Sequence, residues 1–456
     1  MTDTEKKGDA VATVTDENSA AEYQRFLHLE NVFSGASRKK LLRKLDLRLL
    51  PTLSFLYLMC SLDKSNAGNA KLFGLLEDLG MSASSYAGFI VIRLMLGITE
   101  AGLYPGAYFI LSMWYTPKEI GTRMAIFYGA NTTAGAFGGV IAYGVGSLDG
   151  NLGWRAWRWL FLIEGCITIF AGLLCLFCLP AFPHQYQADK STKWLTDEEL
   201  EYASLRVKYA NGPVSSTYTF RWSDVISAAK DRKTYFMMML FWWGGSVPTY
   251  SLSYTLPTMV ANLGYTAVKA QALTTPPYIF ATCVCVAVGY ISDQKQQRYL
   301  CIMSAYTLGL VGIIILWITV HYPSLPGVSY FAIFLAAAGY AAQAPIVGAW
   351  TSSNITNPSK RAAAIGLLML FGSVGGGSIG SNIYISSEAP TYPLGFGFSV
   401  GATVVGAMIP ATAHWYLMRK ENKRRDGLDV AEIERTYTTE ELGEMGENSP
   451  LFRFVL

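Results

Sequence analysis

The chain has 456 residues, of which 51% are hydrophobic and only 15% charged, with a mean hydropathy of +0.27. Soluble domains carry about 25% charged residues, so composition excludes a disordered chain and an ordinary soluble enzyme, and the apolar surface calls for lipid as its solvent. Lys and Arg number 36 against 33 Asp and Glu, a near balance that points to no nucleic-acid partner.

The first 36 residues are polar and mixed in charge, with no secretory signal pattern. The basic run Arg38–Arg48 carries Leu41, Leu42 and Leu45 and reads as an amphipathic segment on an anionic leaflet. A membrane helix needs about 20 residues with few charges. By that measure ten spans are predicted, near 47–67, 88–114, 122–146, 158–180, 235–262, 270–291, 299–320, 328–350, 362–386 and 395–418. With the N-terminus inside, 30 of the 36 Lys and Arg fall on the cytoplasmic side, as the positive-inside rule requires, so both tails are expected in the cytoplasm. The expected organisation is an N-terminal tail 1–46, a four-span bundle 47–180, a cytoplasmic loop 181–234, a six-span bundle 235–418 and a C-terminal tail 419–456. Within the loop, Thr196-Asp-Glu-Glu199 is a capping-box pattern and predicts a short solvent-exposed helix.

An internal repeat is visible. Arg123 precedes Gly138-Gly139 by fifteen residues, and Arg361 precedes Gly376-Gly377 by the same spacing, an offset of 238; the first spans of the two halves are offset by only 186. The 52-residue difference is the length of about two spans and their loop. The first half is therefore expected to lack one pair of spans, with the seam near Ser82–Ala87.

The stretches Lys44-Leu-Asp-Leu-Arg-Leu-Leu-Pro51, Leu62-Asp-Lys-Ser-Asn-Ala-Gly-Asn-Ala70, Arg93-Leu-Met-Leu-Gly-Ile-Thr-Glu-Ala-Gly-Leu-Tyr-Pro-Gly106, Trp114-Tyr115 with Glu119 and Arg123, and Trp157-Arg-Trp-Leu-Phe-Leu-Ile-Glu-Gly165 resemble the fungal anion:cation symporters, the allantoate permease-like group of the major facilitator superfamily. The resemblance covers most of the first half and is looser in the second. It implies an all-α bundle of twelve spans, from which this chain departs by lacking the second and third and the Gly/Asp/Arg-rich loop between them. Gly289-Tyr-Ile-Ser-Asp293 with Arg298 keeps a degenerate counterpart of that loop. The implied activity is proton-coupled symport of a small organic anion, such as a vitamin or ureide carboxylate, at the plasma membrane. The expected protein is a monomer.

Arg93 and Glu100 are seven residues apart on one span, so they share a helix face. Ionisable groups at membrane depth are costly and normally face a cavity. A guanidinium offers a fork for a carboxylate substrate, and a carboxyl withdrawn from water keeps its proton to higher pH. Arg93 is therefore the candidate anion-binding residue and Glu100 the candidate proton carrier, and the resemblance points the same way. Asp63, at the end of the first span, joins Glu100 as a coupling candidate, with Asn66 beside it in a gating or structural role. Glu164 is expected to pair with Arg158. Arg123, Asp293 and Arg361 are read as gating or structural residues. Trp243, Tyr250 and Tyr254 lie on a span that Pro248 and Pro257 are expected to break, and broken helices line transporter sites. Gln343 and Asn382 are lone amides in apolar spans, cavity-lining or helix-linking. Gly135, Gly138, Gly139, Gly372 and Gly376 are read as helix contacts. The seven cysteines read as small packing residues, and the four histidines lack metal-ligand spacing. No cofactor or metal is expected, and no Walker pattern supports ATP-driven transport. Two functional readings remain: a proton-coupled transporter, and a truncated, transport-inactive product that at most associates with a full-length partner.

Overall fold

The computed structural model describes residues 21–456 apart from 74, 81–82, 184–193, 211–220, 265–266, 323, 381, 389–390, 439–440 and 443–444. Helices are the regular structure throughout the described residues. This is what lipid solvent dictates, since a helix satisfies its own backbone groups. Helix α1 (residues 21–32) leads into α2 (Ala36–Leu72), followed by α3 (Leu75–Asp78), α4 (Ala83–Glu100), α5 (Leu103–Trp114), α6 (Ile120–Gly146) and α7 (Ala156–Cys178). The connecting region holds α8 (Asp197–Ala210) and α9 (Trp222–Lys230). The second half comprises α10 (Arg232–Met239), α11 (Val247–Asn262), α12 (Ala267–Lys295), α13 (Arg298–Thr319), α14 (Pro326–Ser353), α15 (Pro358–Gly375), α16 (Pro393–Thr403), α17 (Ile409–Asp426) and α18 (Val430–Thr436).

Helices occupy all ten expected positions, and among the described residues eight are long and apolar enough to cross a membrane. The expected spans 122–146 and 235–262 are helical but are not among the eight; Gly, Ser and Thr dilute both sequences. Three further readings are corrected. The first span does not begin at 47, because α2 runs unbroken from Ala36 through Pro51. Its basic segment does not lay an apolar face on lipid: Leu41 and Leu45 are buried against protein. The expected span 88–114 stands as one apolar stretch, Ala87–Trp114, with a two-residue turn at 101–102 between α4 and α5. The aromatic span is not broken at its prolines. α11 continues through both, and the irregularity is a π-helical turn at Leu240–Ser246, just before Pro248. Proline removes a backbone donor and crowds the preceding turn, and wider winding there accommodates both effects.

The capping box at Thr196 forms both reciprocal bonds: the Thr196 N–H donates to Glu199 Oε2 at 3.1 Å and the Glu199 N–H to Thr196 Oγ1 at 3.3 Å. The helix it starts is docked rather than solvent-exposed. Glu199 also takes Lys44, Tyr202 stacks on Phe33, and Arg206 is buried between Glu119 and the Trp114 carbonyl. Burial alone would raise the Glu119 carboxyl, but Arg206 and Arg38 outweigh it and hold the group below its ordinary value.

The main core joins both halves, with Tyr108, Trp114 and Phe127 in the same apolar cluster as Tyr306, Ile346 and Trp350. A second core lies within the later helices around Leu256, Ile313 and Phe396. α13 and α14 cross closely at glycines. A Cβ on Gly339 would overlap the backbone of Gly309, and one on Gly312 the backbone of Ala336. Small residues here let two backbones approach, which in lipid substitutes for the hydrophobic drive between helices. Gly339→Ala is expected to destabilise the protein by about 1–3 kcal/mol in detergent unfolding. Gly366→Ala, where a Cβ meets open space, is expected to be neutral or slightly stabilising.

Candidate functional site

α2, α4 and the later half's α11 bring the candidate polar residues together. On α2, Tyr57, Cys60, Ser61 and Lys64 follow helical spacing and share a face. Glu100, at the end of α4, meets that face: Lys64 Nζ lies 3.8 Å from Glu100 Oε2, and the Cys60 thiol donates to Glu100 Oε2 at 3.2 Å. Arg93 Nη1 donates to the Asp63 carbonyl at 3.0 Å, and the guanidinium sits over the rings of Phe89 and Phe161. The Asp63 carboxylate accepts from Thr168 at 2.9 Å. Arg93 Nη2 is buried and has no hydrogen-bond partner among the described residues. From α11, Tyr250 lies within electrostatic reach of Lys64, and Tyr254 of Arg93. Arg93 and Glu100 thus share a face, but each takes its partner from α2 rather than from the other. Lys64 and Cys60 were not identified from the sequence. Their signal was the shared face with Tyr57, and it became readable only once Glu100 was placed against it.

An aromatic floor adjoins this cluster. Tyr57 stacks on Phe127 with ring centroids 4.6 Å apart, and Tyr104 stacks on Tyr108 at 4.4 Å with their hydroxyls hydrogen-bonded at 2.6 Å. Ser61 Oγ bonds Asn131 Oδ1 at 2.8 Å. These side chains reach α2, α5 and α6 from separate stretches of sequence, so no local motif announces them.

Other predicted residues fall elsewhere. Glu164 does not pair with Arg158. It accepts from the Asn66 amide, while Arg158 bonds Asp78 at 2.8 Å in the short connection after α2. The two residues are six apart and point to different faces of α7. Gln343 is fully buried beside Gly245, bonding the Tyr340 carbonyl and the Tyr306 hydroxyl, so it links helices rather than lining a void. Trp243 stacks on Trp242 at 5.1 Å within the π turn and packs on Gly406. Asn382 bonds the Ser378 carbonyl. Of the glycines, Gly135 receives the Tyr278 ring, Gly372 the Phe241 ring and Gly376 the Tyr250 ring. All seven cysteines are unbridged.

Of the predicted gating or structural residues, Arg123, Asp293 and Arg361 lie where the charged connections are, while Asn66 and Glu164 pair with each other. Asp293 of α12 accepts from the Gly121 N–H at 3.0 Å and from Arg298 at 2.7 Å on one carboxylate oxygen, and from the Thr122 N–H and hydroxyl at 2.6 Å each on the other. A carboxylate from the second half therefore caps the N-terminus of α6 in the first, where the helix dipole favours negative charge. Arg298 also reaches the Pro117 carbonyl, and Arg361 donates to the Ser112 carbonyl across the same junction. Arg123 forms a two-pronged pair with Asp46 at 3.0 and 2.9 Å, tying α6 to α2. The two halves are latched at this end. Farther along α6 and α12, Thr132 and Thr282 hydroxyls meet at 2.6 Å.

A helical bundle of membrane-length helices that carries an ionic cluster fits a membrane transporter. The profile of the Major Facilitator Superfamily matches residues 70–381, and the chain belongs to that family. It is 84% identical to the "MFS-type transporter cnsO" of Penicillium expansum, covering 100% of this chain and 98% of that one, in an alignment of 507 positions. It is 28% identical to the "High-affinity nicotinic acid transporter" of Saccharomyces cerevisiae, covering 92% and 86% respectively. Among solved structures, the proton:xylose symporter XylE bound to 6-bromo-6-deoxy-D-glucose superposes with a TM-score of 0.57 at 14% identity, over 81% of this chain and 80% of that one, a likeness of fold. Membrane transport is thus the general activity.

Alternating access requires the halves to separate. A Thr132→Cys, Thr282→Cys pair is expected to cross-link on oxidation and to abolish substrate flux, with recovery on reduction; each single variant should retain flux. Flux that persists through complete cross-linking would contradict rocking at this seam.

Proposed function

We propose that the protein is a secondary active transporter that couples proton movement to symport of a small organic anion, with Arg93 and Lys64 binding the anion and Glu100 carrying the proton. The observation that carries this reading is the buried Arg93 Nη2 without an acceptor, beside the Lys64–Glu100 pair. An unpaired buried donor is costly, and a substrate carboxylate would satisfy it with a charge-assisted bond. Proton arrival at Glu100 would release Lys64 to the anion, so the two ligands favour each other. Asp63 holds Arg93 through its carbonyl, and Tyr250 and Tyr254 would orient the substrate from the opposite half. The nicotinic acid transporter among the relatives supports an organic acid as cargo. The proposed orientation puts both termini and the charged connections in the cytoplasm, within a two-bundle organisation divided by the loop 181–234. The protein is proposed to act as a monomer at the plasma membrane, with the allantoate permease-like symporters as its group.

The chain is further proposed to lack the second and third spans of its relatives. The 507 aligned positions exceed its 456 residues by 51, which agrees with the 52-residue gap in the internal repeat. The seam begins at Ser82, outside the described residues, and runs into the start of α4 at Ala83. α4 carries an uncovered apolar face, with Ile92 69% exposed, where neighbouring spans would pack. This same feature favours the second reading, a shortened product without transport.

Uptake of a radiolabelled organic acid in a transporter-deficient fungal cell separates the readings. Uptake driven by an inward proton gradient is expected, falling at least tenfold in Arg93→Ala, Lys64→Ala and Glu100→Gln. If the 456-residue chain is inert and a version carrying the relative's extra segment is active, the second reading holds for this product. Undiminished uptake in Arg93→Ala and Glu100→Gln removes both roles.

A further inference from the structure

The basic, apolar-faced segment expected at Arg38–Arg48 is buried against protein, yet a short helix with an exposed apolar side does meet the surface elsewhere. α9 packs its inner side through Ala228 onto Ile355 and Ala364. Its outer side carries Trp222, Ile226 and Lys230 at four-residue spacing, with Trp222 73% and Ile226 52% exposed. This helix lies immediately before α10, at the end of the bundle that carries the charged connections. Beside it is an open cavity of about 490 Å³ lined by Ser223, Ile226, Ser227, Lys230, Lys233 and Lys360, with Asp231 and Asn448 completing the wall.

The charges in this cavity are not all satisfied. Lys360 is held by Asp231 and Glu447. The ammoniums of Lys230 and Lys233 make no hydrogen bond or ion pair among the described residues; Lys233 lies 4.6 Å from the centre of the Phe454 ring and within the field of Asp231 and Glu447. Burial lowers the Lys233 ammonium; Asp231 and Glu447 oppose the effect, and Lys360 and Arg425 add to it. Two unpaired ammoniums, two serine hydroxyls and an apolar rim facing outward form a recess that is cationic at its base and greasy at its edge. Anionic lipid headgroups are drawn to such sites by charge, while apolar side chains enter the acyl boundary.

We propose that this recess binds the phosphate of an anionic phospholipid of the inner leaflet, with Lys230 and Lys233 on the phosphate, Ser223 and Ser227 donating to its oxygens, and Trp222 and Ile226 against the acyl chains. The choice of leaflet rests on the orientation proposed above; the binding does not depend on transport, so failure of one leaves the other separately readable.

The test uses the full chain in detergent. The thermal midpoint is followed during titration with dioctanoyl phosphatidylinositol 4-phosphate, dioctanoyl phosphatidylcholine, and the headgroup inositol 1,4-bisphosphate alone. The anionic lipid is expected to raise the midpoint saturably, and the zwitterionic lipid and the bare headgroup to bind at least tenfold more weakly. Lys230→Gln with Lys233→Gln should weaken the anionic lipid at least tenfold, and the exposed Lys420→Gln less than twofold. Lys230→Gln alone, also at an exposed position, carries the test if the double variant fails to fold, with at least a threefold loss expected. Equal effects of the two lipids, equal binding of the bare headgroup, or unchanged affinity in the lysine variants would overturn the proposal.

Discussion

A charge placed in hydrocarbon must find a partner, and much of this structure follows from that constraint. Lys64 and Glu100 face each other across two helices, and Arg93 reaches the Asp63 carbonyl at the end of the α2 turn that also carries Lys64. Leaving a charged group unpaired at membrane depth costs several kcal/mol, so the positions of α2 and α4 relative to each other are fixed by these pairs as much as by packing. The same rule makes the unmatched Arg93 Nη2, one of several buried donors without a partner among the described residues, informative because it lies beside the Lys64–Glu100 pair.

The ionic contacts divide by location. Those at the charged end join the two halves: Asp293 caps α6, Arg298 reaches Pro117, and Arg361 reaches Ser112. Apart from the Thr122 hydroxyl on Asp293, each runs between a side chain on one half and backbone on the other. Such contacts suit a latch that must open. The pairs around Arg206 and Lys360, in contrast, tie connecting segments to a single half and have no need to break.

Much of the fold was legible in the sequence because hydropathy and charge act locally. The length of each apolar run and the placement of Lys and Arg gave the helices and their order, and Thr196 with Glu199 gave a helix start down to its reciprocal bonds. Arg93 and Glu100 sharing a face followed from helical spacing alone. Pairing between helices was not legible. Asn66 rather than Arg158 meets Glu164, and Lys64 rather than Arg93 meets Glu100, because these choices depend on how helices rotate against one another. Gln343 looked like a cavity residue by chemistry but is held by two tyrosines in the core. The apolar side of the Arg38–Arg48 segment gave no sign of whether protein or lipid would cover it.

The central claim is that the Lys64–Glu100–Arg93 cluster borders water and opens to each side of the membrane in turn. Substituted-cysteine labelling at Lys64→Cys, in a variant whose seven native cysteines are replaced by serine or alanine, with a hydrophilic thiol reagent applied separately from the outside and inside of sealed vesicles, measures this directly. Modification from both faces is the expected result. Reaction only with a lipid-soluble reagent, from neither aqueous face, would place the cluster against acyl chains and contradict the claim.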